Sequence, residues 1–560
     1  MQNINELPVE ILTRIFDFLS IPDRKQISSV CTLWYNILHS VRFQRQCRLT
    51  FDSTFEEELS DFEKRILRSC RNLSITHWDD ADDDDDYDED EDDEHEKDMV
   101  IQFKYLFKPS PERNVTDLLF EEKLDLESLE LNSTFGSCRS IIEDRLPQME
   151  QLRELTISFD QERNPNGPAP DPSIWVIKHN CLRKLRIGLS YEIDAFRIEA
   201  PNLTSLDIQP KCRWTMEIVE TYCRQLETLK LRFQNVEYME SFLSLPFPSL
   251  RHLHVRMFDD KETQVRYARS RNPMSDAEKD EQFVKGIPRL KKLLLESNLM
   301  FFRIGALLGK CNHQLEELTL EEQQIDYAQL KVVELLPKLK LISFVSFQNF
   351  TLFRCEVLMP SPVLPTLNMP HLDKLSLFYN ESSIVFNEGL AGLKSLKVSL
   401  WTEKNNKVLY KICKNLPNLV DLEVLANTKL VNTCLRHLHR LTNLRSFKLD
   451  NSEPNILLWQ HCPVVPSIQR IVFYNCTLTS DTLLPIAKNF PNMRELFIDR
   501  CYFKRSAADY KSASDSDGDE SDSDRSKSDS KYLNAERVRQ LFPLCRVSCK
   551  ESYFYGHRYH

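Results

Sequence analysis

The chain has 560 residues, more than one compact core can use, since single cores stop growing at about 250 to 300 residues, so it is either multidomain or an elongated repeat. Glycine is scarce, 10 residues in all, which leaves little material for phosphate-binding turns: Gly305-Ala-Leu-Leu-Gly309-Lys310-Cys311 is one residue short of the P-loop spacing and has Cys where that loop needs Ser or Thr. The net charge of -12 is concentrated in two acidic segments, 79–98 and 515–529, so that the remaining chain is mildly basic.

The first element is helical. Leu7, Ile11, Leu12, Ile15, Phe16 and Leu19 recur at helical spacing, with Pro8 in the first turn, where a missing N–H costs nothing, and Pro22-Asp23 as the break. A second amphipathic stretch brings Ile27, Val30, Cys31 and Trp34 onto one face. Helices this short need a packing partner, so residues 1–45 read as one helical module. Residues 46–78 form a junction with a weak repeat copy, Cys70-Leu73-Ile75, and 79–98 is an acidic loop with nothing to bury.

A repeat occupies 99–505. Leu-x-x-Leu-x-Leu, with other apolar residues allowed, appears as Leu126-Leu129-Leu131, Leu152-Leu155-Ile157, Leu182-Leu185-Ile187, Leu203-Leu206-Ile208, Leu226-Leu229-Leu231 and Leu250-Leu253-Val255. It continues from Leu290-Leu293-Leu295 to Met493-Leu496-Ile498. The period is that of leucine-rich repeats, about 20 to 29 residues, with three longer gaps. The second and third apolar positions, two apart, point to one face of a short strand; a single repeat cannot bury that edge, and stacking does. Asn298, Asn380, Asn427, Cys476 and Cys501 stand where a small polar group can bond the turning backbone. Residues 160–172 and 259–284 read as solvated insertions, 506–530 as a disordered Ser/Asp-rich insertion, and 531–560 as a terminal repeat built on Leu544-Val547-Cys549.

The N-terminal pattern, Leu7-Pro8-x-Glu10-Ile11-Leu12-x-x-Ile15-Phe16-x-x-Leu19-x-x-Pro22-Asp23 followed by Val30-Cys31-x-x-Trp34, resembles the F-box, with Arg24 where F-boxes usually carry Leu. With the repeat array, the chain is similar to the F-box and leucine-rich-repeat family of substrate receptors for SCF-type ubiquitin ligases. The resemblance implies an α/β fold: a small N-terminal helical F-box followed by a curved leucine-rich-repeat solenoid with a parallel concave sheet. It implies a receptor rather than an enzyme, with no cofactor. Leu7, Pro8, Ile11, Leu12, Ile15, Val30 and Trp34 would be divided between the module's own core and the surface docked by the ligase's adaptor subunit, which bridges to a cullin. The alternatives are a leucine-rich scaffold acting without ubiquitin transfer and a plain helical cap on the solenoid.

Strand parity also names the residues opposite the core. Lys184, Arg186, Lys230, Arg232, His252, His254 and Arg256 make a basic zone; Glu296, Glu317 and Glu321 reverse the sign, and Leu341, Val345, Phe378, Tyr474 and Phe497 are apolar. Cations facing one concavity sum their fields, so Lys184, Arg186, Lys230, Arg232, His254 and Arg256 are expected to bind an acidic or phosphorylated protein substrate. The competing reading is a solvated face of alternating sign, with Asp207 interrupting the stripe. The zone lacks the interleaved aromatics of a nucleic-acid surface.

Ser512, Ser514, Ser516 and Ser521 each have Asp three residues later, which resembles an acid-directed kinase site. Once phosphorylated, this segment is expected to compete for the basic zone; the competing reading is an unmodified spacer. His437-x-His439 and His557-x-x-His560 are metal-like pairs without fitting Cys or acidic partners, and the 16 cysteines include no Cys-x-x-Cys. The start at Met1 lacks a basic and apolar leader, and no apolar run approaches 18 residues. The expected setting is soluble, reducing and intracellular, in cytoplasm or nucleus, without membrane contact.

Overall fold

The structure is a computed structural model. It describes residues 4, 7–17, 19, 27, 30–38, 47–52, 72–76, 99–103, 126–132, 141–159, 175–189, 196–210, 213–233, 236–257, 285–296, 314–321, 333–345, 367–377, 386–399, 405–425, 434–450, 459–503, 535–550 and 553–554. The acidic run 79–98, the insertions 160–172 and 259–284, the segment 506–530, Gly305–Cys311, Pro22–Arg24, Asn298, Asn380, Asn427, Phe378, His557 and His560 lie outside the described residues. The chain divides into two units, Met1–Leu250 with Asp260–Tyr267, and Arg251–Asp259 with Ala268–His560.

The first unit opens with the helical module, helices Val9–Asp17 and Thr32–Leu38. The Pro8 carbonyl accepts from the Ile11 and Leu12 amides at 3.0 and 3.1 Å, so proline starts the first turn without a lost bond. Leu12, Phe16, Ile37 and Leu38 form the module's core, and Leu7, Leu19, Ile27 and Trp34 pack against it. Phe16 and Trp34 meet edge to face with centroids 5.2 Å apart, the arrangement that aromatic quadrupoles favour.

The unit's sheet is parallel throughout. In spatial order its strands are Met99–Phe103, Cys47–Asp52, Asn72–Thr76, Ser128–Asn132, Glu154–Phe159, Lys184–Leu189, Ser205–Ile208 and Thr228–Phe233. From Ser128 onward each strand sits beside the next in sequence, and the register aligns Leu129, Leu155, Leu185, Leu206 and Leu229. These stack into one column, at most 2% exposed. Such a column is the reason a repeat with too few apolar residues for its own core is stable in an array. The sheet starts earlier than the repeat pattern indicates, because Cys47–Asp52 and Met99–Phe103 lie beyond the copy at Asn72–Thr76.

In the second unit the parallel strands follow chain order: His252–Met257, Lys292–Glu296, Glu317–Glu321, Leu341–Val345, Lys374–Leu377, Ser395–Ser399, Asp421–Leu425, Ser446–Asp450, Arg470–Tyr474, Glu495–Asp499 and Arg546–Lys550. Helices Asn405–Asn415, Ser480–Asn489 and Ala535–Leu541 and the 3-10 turn Cys434–Arg440 serve as return segments. Trp459 is fully buried among Phe447, Phe473 and Phe490, each ring near-perpendicular to it.

Two backbone devices hold the rungs in register. The carbonyl just after the first leucine of a repeat accepts two consecutive amides of the next: Arg153 O receives Arg183 and Lys184, and Lys394 O receives Val420 and Asp421, all at 2.7–3.0 Å. Asparagines before the first leucine then brace the turns. The side-chain amides of Asn202, Asn418, Asn443 and Asn492 donate to the carbonyls of Asn180, Ala391, Pro417 and Pro466. The two predicted cysteines behave as the pattern requires: Cys476 Sγ lies 3.3 Å from Leu449 O, and Cys501 Sγ lies 3.2 Å from Asp499 O and receives the Cys476 amide. The residue before each, Asn475 at φ 50° and Arg500 at φ 49°, takes the left-handed conformation that turns the chain out of the strand.

Candidate functional site

Helix Val9–Asp17 divides its apolar residues between two faces, because adjacent positions are rotated by about 100°. Leu12 and Phe16, four apart, point inward and are 0% and 1% exposed. Ile11 and Ile15, also four apart, point outward at 44% and 37%, and Val30 on the second stretch is 58% exposed. Val9, Leu33 and Tyr35 are exposed beside them in sequence. Of the residues predicted for the adaptor, Pro8, Ile11, Ile15 and Val30 are thus at the surface, Leu7 and Trp34 are half-buried against the core, and Leu12 is wholly inside it. A module this small leaving so many large apolar groups in water has the composition of an interface. The sequence pattern missed Val9, Leu33 and Tyr35, although each is a large apolar residue next to a predicted one.

On the open face of the sheet, the predicted cations are brought beside carboxylates. In the first unit Lys184 Nζ is 2.6 Å from Glu154, and Asp207 holds both Arg186, at 3.4 Å, and Arg232, at 3.6 Å. Lys230 lies opposite Asp207 in the register and forms no ion pair among the described residues. Two arginines and a lysine thus gather around one half-buried aspartate. In the second unit Glu296 contacts both His254 and Arg256. Burial, followed by nearby Lys292, lowers the pKa of His252, which favours its uncharged ring.

Further along the second unit, Glu423 is flanked by Lys397 at 2.8 Å and Lys448 at 3.4 Å. The aromatic positions are roofed by cations: Lys448 and Arg500 over Tyr474 at 5.1 and 5.8 Å, and Arg470 over Phe497 at 4.6 Å. Leu341 is half-buried, and the side chain of Val345 lies outside the described residues. These cation–aromatic pairs explain how apolar groups persist on a polar face, since the ring is covered on one side without being walled off. They could not be read from one repeat, because cation and ring belong to neighbouring strands.

Two buried thiols of the second unit illustrate the chemistry of its interior. Burial holds the Cys462 thiol up at about 12, and hydrogen bonding with Cys476 together with burial raises Cys501 further. Such thiols remain protonated and unreactive. Among the described residues no group of three His, Cys, Asp or Glu could hold a metal ion. No helix among them is long and apolar enough to cross a membrane.

A scan against protein families matches the F-box domain at residues 4–46. Residues 4–46 are thus an F-box domain, set ahead of an array of in-register leucine-rich strands. Among solved structures the F-box protein is similar to a leucine-rich-repeat protein of Leptospira interrogans, at 16% identity over 76% of this chain and 90% of that one, with a TM-score of 0.30. No curated protein matches it.

Proposed function

We propose that the chain is the substrate-recognition subunit of an SCF-type ubiquitin ligase. The observation that carries this is the divided F-box helix, with Leu12 and Phe16 completing the module's own core and Ile11, Ile15 and Val30 uncovered for the adaptor subunit. The adaptor bridges to a cullin, and the repeats present a protein substrate. Substrate capture falls to the open sheet face, where Lys230, opposite Asp207 in the register, and Arg232 would draw an acidic or phosphorylated segment, with Arg186 beside them. Lys184, His254 and Arg256 contribute less, each already facing Glu154 or Glu296.

The test is co-purification of the full chain with adaptor and cullin, with and without residues 1–45, together with capture of ubiquitylated proteins. Loss of adaptor and cullin on truncation supports the receptor. A full chain that brings down neither, and keeps its protein partners after truncation, is a leucine-rich scaffold acting without ubiquitin transfer. Replacing Lys230 and Arg232 with Ala should reduce substrate capture and leave the adaptor bound.

A further inference from the structure

On the second unit's helix layer, away from the open face, six exposed basic residues gather on two packed elements. Helix Asn405–Asn415 presents Lys407, Lys411 and Lys414 to solvent and packs on the 3-10 turn Cys434–Arg440, which exposes Arg436, His439 and Arg440. None of the six forms an ion pair among the described residues, whereas most predicted cations of the open face lie within reach of a carboxylate. Between the two elements sits Tyr410, with the His437 ring edge-on at 4.8 Å and the Arg440 guanidinium 5.5 Å from its centre. Arg436 Nε donates to His437 Nε2 at 2.9 Å, which holds that imidazole neutral. Burial lowers the pKa of His437, and its charged neighbours, Arg436, Arg440 and His439, all push it the same way. A surface on which basic residues outnumber acids and form no ion pair among the described residues attracts anions, and more strongly at low salt.

We propose that this patch docks an acidic Ser/Asp-rich protein segment, and that in the intact chain the occupant is residues 506–530. Charge complementarity admits it: residues 515–529 hold seven Asp and Glu against Arg525 and Lys527. Patch and segment also belong to the same unit. Described chain ends at Phe503 and resumes at Ala535, and a segment of that length reaches on the order of 50 Å out and back, several times the strand spacing of about 4.8 Å between neighbouring repeats. Phosphates at Ser512, Ser514, Ser516 and Ser521 would each add about -1.5 to -2 charges and tighten the contact. This assignment moves the segment's target from the open sheet face, where the predicted cations face Glu154, Asp207 and Glu296, to a face whose exposed basic residues form no ion pair among the described residues.

The experiment is zero-length carbodiimide cross-linking of the purified full chain, before and after treatment with an acid-directed kinase, with peptide mapping of the joined residues. Cross-links should join Lys407, Lys411 or Lys414 to carboxylates between Asp515 and Asp524. The exposed triple variant Lys407→Glu, Lys411→Glu, Lys414→Glu should lower their yield at least tenfold, and Lys230→Glu should leave it unchanged. A labelled synthetic peptide of residues 506–530 should bind the full chain lacking those residues, with affinity falling at least tenfold in the triple variant and rising on phosphorylation. Cross-links that run instead to Lys184 or Lys230, or peptide affinity equal in wild type and triple variant, would overturn the proposal. So would a single-stranded oligonucleotide of matched charge that binds the patch while the peptide fails to compete, which would make it a nucleic-acid surface.

Discussion

Replacing Ile11 and Ile15 with Ala should separate adaptor binding from folding. Both are four apart on one face of helix Val9–Asp17 and keep 44% and 37% of their surface in water. Full burial of such a side chain is worth about 1.5 to 3 kcal/mol, so covering the accessible fractions contributes about 1.2 to 2.4 kcal/mol in total. That corresponds to roughly an eight- to sixtyfold weaker dissociation constant. The covered remainder of each side chain also loses contacts, so the module's stability should fall, but by less than with a fully buried residue. Leu12→Ala is the counterpart: it is fully buried, and its truncation should cost about 2 to 5 kcal/mol of folding stability. Calorimetric titration of the full chain with purified adaptor measures the first effect, and hydrogen exchange across residues 7–38 measures both. If the double variant binds within twofold of wild type, or if it unfolds the module as Leu12→Ala does, the assignment of faces is wrong.

Three further outcomes follow from the solenoid. Tyr222 donates to Ile198 O at 2.8 Å and accepts from Ala200 N at 3.0 Å inside the first unit, so Tyr222→Phe should strand two polar groups at about 1 to 3 kcal/mol and speed exchange of the Ala200 amide by roughly five- to 150-fold; Thr221→Ala on the same helix, which loses only an exposed bond to Glu217 O, should barely change it. A Cβ at Gly392 would stand 2.0 Å from the Pro370 carbonyl oxygen, so Gly392→Ala must separate two repeats, costing about 1 to 3 kcal/mol or more, read as faster exchange in 367–377 and 386–399. The depressed pKa of His437 means the folded chain binds fewer protons there than the unfolded one, so its contribution is present above the unfolded value near 6.5 and lost as pH falls below it; Arg436→Gln with Arg440→Gln should move the His437 titration upward in an NMR series, and an unmoved midpoint would deny the cationic field.

The repeat was legible because its signal is one-dimensional: two apolar residues two apart, preceded by another three residues earlier, mark the strand and its inward face. The same rule explains what it missed. Strand Cys47–Asp52 has Leu49 and Phe51 in register with Leu73 and Ile75, but Gln46 stands where the leading apolar residue would be. Strand Met99–Phe103 places Ile101 and Phe103 beside them, yet three residues before Ile101 is Asp98, the end of the acidic run. The cationic stripe was visible as composition, while its pairing was hidden, because Arg186, Asp207 and Arg232 come from three strands and meet only through the register. The F-box residues were nameable from their motif. Their split between core and surface needed the second helix to show which side it covers.

The placement of Met99–Phe103 has a mechanical meaning. Solenoids ordinarily peel from their ends, where the last strand has one neighbour. Here the strand that follows the F-box, Cys47–Asp52, is gripped on both edges, by Asn72–Thr76 and by Met99–Phe103. Tension applied through the F-box meets an interior strand and must shear two pairings together. Strand Cys47–Asp52 is thus seated like a tenon between two cheeks, and the first rung to yield under load should lie elsewhere in the chain.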